Sequence, residues 1–101
     1  MVKVAVIGGG ASGLACAIQI MNTIKNKEEV KVTILERLPR VGKKILVTGN
    51  GRCNLTNVNA GVKDYRGEPE FTEYALNKFS SQNNIEFFNS LGLYTRTEDE
   101  G

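Results

Sequence analysis

The chain has 101 residues, a length that allows one domain with a modest hydrophobic core. Hydrophobic residues make up 41% and charged residues 24% of the sequence, as in an ordinary globular protein. No apolar run approaches the roughly 20 residues of a membrane-spanning helix, and no signal peptide precedes the first apolar run. Two cysteines and no histidine are too few for a disulfide framework or a zinc site. We therefore expect a cytoplasmic protein with neither a membrane partner nor a metal.

The formal net charge is +2, but the charges are unevenly distributed. Residues 25–52 contain eight Lys and Arg residues against three Glu, whereas residues 64–101 contain three against eight Asp and Glu. The basic stretch either faces an anionic ligand such as a pyrophosphate or forms a solvated surface. Nucleic-acid binding is disfavoured because aromatic residues do not alternate with the basic ones.

The start of the chain predicts a β-α-β unit. Val2–Ile7 is short and β-branched, which is typical of a strand buried on both faces. Apolar residues then recur at helical spacing over residues 14–25, and Val30–Leu35 alternates like a second strand. A right-handed crossover makes the two strands parallel.

The region after the second strand predicts a long loop. Residues 38–61 contain one proline, four asparagines and several glycines, among them Gly42, Gly49 and Gly51. Loops of this length without regular structure are usually functional.

The rest of the chain predicts short helices. Asn83 and Glu86 have the spacing of a capping box, and Gly92 is a suitable residue to end a helix. The expected elements are a helix over residues 71–80, a helix over residues 85–91 and a short strand over residues 93–97.

The glycine-rich residues 8–13 have the GxGxxG pattern of dinucleotide-binding loops. Gly8 allows a sharp turn out of the strand, Gly10 allows close approach of a pyrophosphate, and Gly13 allows the helix to pack tightly on the sheet. The free amides at the start of the helix then face the phosphates. The candidate ligands in this loop are Gly8, Gly10, Ala11, Ser12 and Gly13.

Glu36 follows the second strand, 23 positions after Gly13. An acidic residue at the end of this strand accepts hydrogen bonds from the ribose hydroxyls of an adenosine. It also repels a 2′-phosphate, which disfavours NADP at this site. A glycine turn without any ligand is the alternative interpretation of this region.

A second polar stretch, residues 48–57, reads Thr-Gly-Asn-Gly-Arg-Cys-Asn-Leu-Thr-Asn. Its glycines permit close backbone approach, and the guanidinium of Arg52 suits a phosphate. On chemistry alone, a ligand-binding loop and a plain polar surface loop are equally supported. The candidate ligands are Thr48, Gly49, Gly51, Arg52, Cys53 and Asn54.

These segments together resemble the amino terminus of the HI0933-like flavoproteins, a family of FAD- and NAD(P)-dependent oxidoreductases. The matching segments are residues 8–13, Glu36-Arg37, residues 42–44, residues 48–57, residues 87–93 and residues 98–101. The stretch 48–57 is the most specific to the family. The resemblance implies an α/β fold, namely a Rossmann-like FAD/NAD(P)-binding domain that starts β-α-β with a parallel sheet.

The resemblance also implies roles for individual residues. The glycine loop would contact the FAD pyrophosphate, Glu36 would hold the adenosine ribose, and Arg37 would lie beside the adenine. Lys43 and residues 48–54 would run along the pyrophosphate towards the isoalloxazine. The family often has Gly-Arg-Lys where this chain has Val41-Gly42-Lys43-Lys44, so that Lys43 keeps the charge but loses the bidentate geometry of arginine.

Family members are about four times as long as this chain and continue beyond it. We therefore expect residues 1–101 to be the amino-terminal, incomplete part of the domain in a longer protein. We expect such a sheet to expose apolar edges and the chain alone to be poorly stable or self-associating.

The two cysteines lie too far apart for a CxxC redox pair. We expect Cys16 to lie on the apolar face of the first helix and to belong to the core. We expect Cys53 to be a small packed residue rather than a redox-active thiol.

The sequence favours an FAD-binding oxidoreductase acting on a small-molecule substrate, with NAD(P)H as a candidate electron donor. A nucleotide-binding or NAD-binding module without turnover and a flavoprotein acting on tRNA remain open as alternatives. An S-adenosylmethionine-dependent methyltransferase is a more distant alternative. No residue is identified as an acid–base catalyst, and the substrate and oligomeric state are not specified.

Overall fold

A computed structural model describes residues 1–51 and 53–98, which form two compact units, Met1–Asn54 and Leu55–Gly101. The first unit contains strand β1 (Val2–Ile7), helix α1 (Ala11–Thr23) and strand β2 (Val30–Leu35). The two strands pair in parallel, in a register that runs from Val2 opposite Val30 to Ile7 opposite Leu35. The predicted parallel β-α-β start and the bounds of both strands are therefore confirmed.

Helix α1 begins three residues earlier than its apolar spacing predicts, at Ala11, and ends at Thr23. Its first turn is mostly solvent-exposed, so that apolar periodicity starts only in the second turn. At the other end, the Nζ of Lys27 donates to the carbonyl oxygen of Met21 at 2.6 Å. This bond satisfies one of the carbonyls that a helix leaves without an intrahelical partner.

The apolar face of α1 lies over β2. An open groove of about 540 Å³ separates them, and its lining is mostly apolar. The side chains that line it include Ala17, Ile18, Met21, Val30, Val32 and Ile34. In β2 these half-buried residues alternate with exposed ones, as expected for a sheet with a helix on one face.

Burial on both faces, predicted for β1, is wrong. Only the face that carries α1 is covered, so Val4 and Val6 are half-buried while Ile7 is 79% exposed. Among the described residues no hydrophobic side chain is fully buried. Cys16 is exposed and does not lie in a core, contrary to prediction.

The long loop after β2 is not entirely irregular. A 3-10 helix spans Ile45–Gly51, and a further one at Val62–Asp64 belongs to the second unit. Both are short, which is why apolar periodicity does not reveal them.

The second unit contains a 3-10 helix at Pro69–Thr72, helix α2 (Glu73–Lys78) and helix α3 (Ser81–Ser90). The predicted helix over 71–80 is thus shorter and begins as a 3-10 turn. Phe79 and Phe87 meet edge to face with ring centroids 6.3 Å apart.

The predicted capping box of Asn83 with Glu86 is wrong. Ser80 caps α3 instead: its Oγ accepts from the Asn83 amide at 3.2 Å, and Asn83 Oδ1 accepts from the Ser80 amide at 3.0 Å. The helix therefore starts four residues earlier than predicted. Gly92, with a φ of +89°, ends it as predicted.

Residues 93–98 form no strand, so the predicted strand over 93–97 is wrong. In the part of the chain that the structure describes, no helix has the length and apolar character needed to cross a membrane.

Candidate dinucleotide-binding site

The glycine loop begins where β1 leaves the sheet. Gly8 has a φ of +97°, a conformation that favours glycine, and its amide donates to the carbonyl oxygen of Leu35 at 2.8 Å. This bond extends the pairing of the strands by one residue before the chain turns. The turn that the sequence assigns to Gly8 is present.

Gly13 is tightly packed against other protein atoms, whereas the space around Gly10 is open. A methyl group on Gly13 would overlap with the carbonyl oxygen of Gly8 and come within 3.4 Å of Val6 Cγ1, so only glycine lets α1 approach β1 this closely. A methyl group on Gly10 would meet no atom within 4 Å. The protein itself therefore requires Gly13, whereas the space beside Gly10 is open to a ligand.

The amino terminus of α1 is uncapped in the described structure. Gly10 is the N-cap residue, no side chain caps the helix, and the first turn contains no acidic residue. Ala11 and Ser12 are exposed, and the first amides of a helix have no intrahelical partner. Accessible amides with a partial positive charge are suited to bind an anion such as a diphosphate.

Glu36 ties the glycine loop to the chain after β2. Its Oε1 accepts from the Gly9 amide at 2.9 Å, and its Oε2 accepts from the Leu38 amide at 2.7 Å. The hydrogen bonds from Leu38 and then Gly9 lower the pKa of this carboxyl below its ordinary value of 4.5, and the nearby Arg37 charge contributes. Glu36 is therefore ionised at neutral pH, and a carboxylate has about four acceptor positions, more than these backbone amides use.

Residues 37–44, named here the basic segment, contact the glycine loop. The Gly42 amide donates to the carbonyl oxygen of Gly9 at 2.6 Å, and Gly42 has a φ of +69°. Four cationic side chains, all exposed, belong to this segment: Arg37, Arg40, Lys43 and Lys44. A segment with four cationic residues is therefore bonded to the glycine loop at Gly9.

The stretch Thr48 to Asn54 closes on itself. The Cys53 amide donates to the carbonyl oxygen of Thr48 at 3.1 Å, and Thr48 Oγ1 donates to the carbonyl oxygen of Ile45 at 2.7 Å. Gly49 has a φ of +55°, and a methyl group there would come within 2.8 Å of the Asn54 nitrogen. Cys53, half-buried, has a φ of +55°, which is uncommon for a residue with a side chain.

The structure thus joins only some of the predicted site residues by direct contacts. The glycine loop and Glu36 are hydrogen-bonded to one another, whereas Thr48 and Cys53 are bonded to each other within their own turn. Arg52, a predicted phosphate ligand, lies outside the described residues. No cluster of three metal-binding side chains occurs in residues 1–51 and 53–98.

Sequence reasoning missed Gly9 and Val41. Gly9 is buried, and a methyl group on it would come within 2.6 Å of Val41 Cγ1. Gly9 occupies a variable position of the GxGxxG pattern, and Val41 lies 32 residues further along the chain, so no local pattern connects them. The run of three consecutive glycines, with Gly9 in the middle, is the one available signal.

Comparison with known proteins gives a family match. The family model of the HI0933-like protein Rossmann domain matches residues 2–101. A 3-dehydro-bile acid delta(4,6)-reductase of Clostridium scindens is 46% identical over 98 residues, which are 96% of this chain and 23% of that protein. A ribosomal RNA dihydrouridine synthase of Haemophilus influenzae is 31% identical over 97 residues, 95% of this chain and 23% of that protein.

A ribosomal RNA dihydrouridine synthase of Escherichia coli is 30% identical over 89 residues, 87% of this chain and 21% of that protein. The chain thus spans less than a quarter of the length of the curated relatives it matches. The predicted family resemblance is confirmed by the match over residues 2–101. With its parallel β-α-β start, the chain belongs to the HI0933-like family and forms an incomplete part of the Rossmann domain of that family.

Proposed function

We propose that this chain contributes the FAD-binding site of a flavoprotein oxidoreductase, with the FAD diphosphate at the amino terminus of α1. One observation carries the proposal: the open space beside Gly10 faces an uncapped helix terminus. Such a terminus stabilises an anion through its amides and its dipole. Membership of a family with a Rossmann domain supports a nucleotide as that anion.

Glu36 would hold the adenosine ribose. Each carboxylate oxygen already accepts a backbone amide, and the carboxylate retains acceptor capacity for a ribose hydroxyl. Because the lowered pKa keeps the group ionised, it would repel a 2′-phosphate, which favours FAD or NAD over NADP at this position. Arg37, the next residue, would lie on the adenine side.

Lys43 and the turn from Thr48 to Asn54 would follow the cofactor from the diphosphate towards the isoalloxazine. The exposed ammonium of Lys43 would add positive charge, and the glycines at 49 and 51 would permit close approach of the backbone. We assign Arg52 the role of a phosphate ligand on chemistry alone.

Bound FAD would supply the redox chemistry by accepting and passing on a hydride or an electron pair. The residues of this chain would bind the cofactor, orient it and keep its phosphates neutralised. The acid–base catalyst of the reaction is not among the residues we assign to the site.

We propose reduction of a small organic molecule as the activity, with NAD(P)H as electron donor. The relative with 46% identity carries the name of a bile acid reductase, which supports this class of substrate. Reduction of a uridine in RNA is the second candidate, because the relatives with 31% and 30% identity carry the name of ribosomal RNA dihydrouridine synthases. The higher identity favours the small molecule.

The test is made on the complete translation product of the reading frame that encodes this chain. We expect it to be purified with a yellow flavin absorption band, and heat to release FAD rather than FMN on chromatography. Anaerobic NADH and NADPH should bleach the band, and the reduced protein is then mixed with a steroid enone or with unmodified ribosomal RNA. Reoxidation by the enone alone supports the first candidate and reoxidation by RNA alone the second, whereas a protein without affinity for FAD contradicts the proposal.

A further inference from the structure

The basic segment is fastened to the glycine loop at two points. Near its start, the Leu38 amide shares the Glu36 carboxylate with the Gly9 amide. Near its end, the Gly42 amide donates to the Gly9 carbonyl oxygen. Both polar groups of the Gly9 backbone are therefore used to hold this segment.

Packing between these two points depends on side-chain size. A methyl group on Gly9 would come within 2.6 Å of Val41 Cγ1 and 3.0 Å of Val41 Cβ. Rotation of the stiff valine side chain moves Cγ1 but leaves Cβ in place. A larger residue at position 9 therefore forces the backbone of the basic segment away from the glycine loop.

Displacement of the basic segment would also move its cationic side chains away from the start of α1. The four cations of the basic segment are exposed and the segment contains no acidic residue. The attraction between a cation and a diphosphate falls with distance and is screened over about 8 Å at physiological salt. A basic segment that is shifted at Val41 and held less firmly at Gly9 would thus bind an anion at the start of α1 more weakly.

From this geometry we infer that Val41 and Gly9 are a size-matched pair that positions the basic segment beside the diphosphate site. Val41 acts through the segment and is a positioning residue, not a ligand. The inference rests on the proposed function only for the identity of the anion, because the pair itself is a property of the first unit.

The test is a double-mutant cycle in the complete translation product, with Gly9→Ala, Val41→Gly and the double variant. Gly9→Ala should weaken FAD binding about tenfold, the size expected from overpacking. It should also flatten the dependence of the FAD dissociation constant on salt, because the cations no longer face the diphosphate. The double variant should bind within about threefold of the parent protein, since removal of the Val41 side chain restores the space.

Two controls match these changes. Gly61→Ala places a methyl group at negative φ where no atom lies within 4 Å, and Val58→Gly removes a side chain of similar exposure, 41% against 46% for Val41. Both should leave FAD affinity and its salt dependence unchanged. A Gly9→Ala variant with parental affinity, or a double variant no better than Gly9→Ala, overturns the inference.

A second readout needs no cofactor. Hydrogen exchange of the Gly42 amide should be faster in Val41→Gly than in the parent, because the bond to Gly9 loses its packing support. Equal exchange rates overturn the inference even if Gly9→Ala cannot be folded. A parent protein that binds no FAD but shows the exchange difference would contradict the proposed function while retaining the pair.

Discussion

The two glycine-containing turns of the first unit are held in different ways. The glycine loop is tied to distant residues: Gly8 bonds to Leu35, and Gly9 bonds to Glu36 and Gly42. In the turn from Thr48 to Asn54, the described residues, which do not include Arg52, are joined by bonds between residues no more than five positions apart. The first turn therefore depends on the fold of the β-α-β unit, whereas the second depends on its own sequence.

This difference implies that the same kind of substitution has a global effect in one turn and a local effect in the other. Gly13 belongs to the contact between α1 and β1, so a change there disturbs the whole unit. A methyl group on Gly49 would first meet Asn54, five residues later, so a change there disturbs the turn.

Gly13→Ala should have the largest effect. The added methyl group would meet the Gly8 backbone, which cannot move without separating helix from strand. We expect a loss of about 3 kcal/mol in the free energy of unfolding, the upper end of the range for overpacked sites. Urea denaturation followed by circular dichroism measures it, with Gly61→Ala as the control. Equal stability of the two variants would contradict the tight contact between α1 and β1.

Gly49→Ala should have an intermediate and local effect. Alanine at a φ of +55° costs about 1–2 kcal/mol, and its methyl group would crowd the Asn54 nitrogen. We expect faster hydrogen exchange of the Cys53 amide, while the amides of β1 and β2 keep their protection. Loss of protection throughout the sheet would show that the second turn is not local after all.

Glu36→Gln should have the smallest effect on stability at neutral pH but a clear one on pH dependence. The pKa of Glu36 is lowered in the folded protein. The ionised carboxylate therefore stabilises the fold at pH values above the ordinary pKa of 4.5, and this stabilisation is lost as the pH falls through the lowered pKa. The parent protein should therefore lose stability below about pH 4.5 more steeply than Glu36→Gln.

Thermal unfolding from pH 3 to pH 7 measures this difference, and Glu70→Gln is the charge-matched control. An identical pH profile for the parent and Glu36→Gln would mean that the two amide bonds do not favour the ionised carboxyl.

The sequence predicts the elements that depend on local composition. Both strands are found at their predicted bounds because β-branched runs end at glycine or at charged residues. The start of α1 is misplaced because its first turn, Ala11 to Gly13, has no large apolar residue. The cap of α3 is misassigned because two overlapping spacings, Ser80 with Asn83 and Asn83 with Glu86, look alike until the backbone is seen.

The site is predictable in part for a similar reason. The roles of Gly8 in turning the chain and Gly13 in packing follow from a spacing that lies within six residues. The hydrogen bond of Glu36 to Gly9 and the contact of Gly9 with Val41 join residues that only the fold brings together. Sequence spacing does not predict such contacts.

The central claim is that the space beside Gly10 belongs to a ligand and not to the protein. Gly10 has an extended backbone that alanine can adopt, and a methyl group there would meet no protein atom within 4 Å. The direct measurement is the FAD dissociation constant and the melting temperature of Gly10→Ala in the complete translation product. The account predicts an unchanged melting temperature of the cofactor-free protein and FAD binding weakened by about tenfold or more, as for an overpacked contact. Unchanged FAD affinity in a folded Gly10→Ala variant would contradict it.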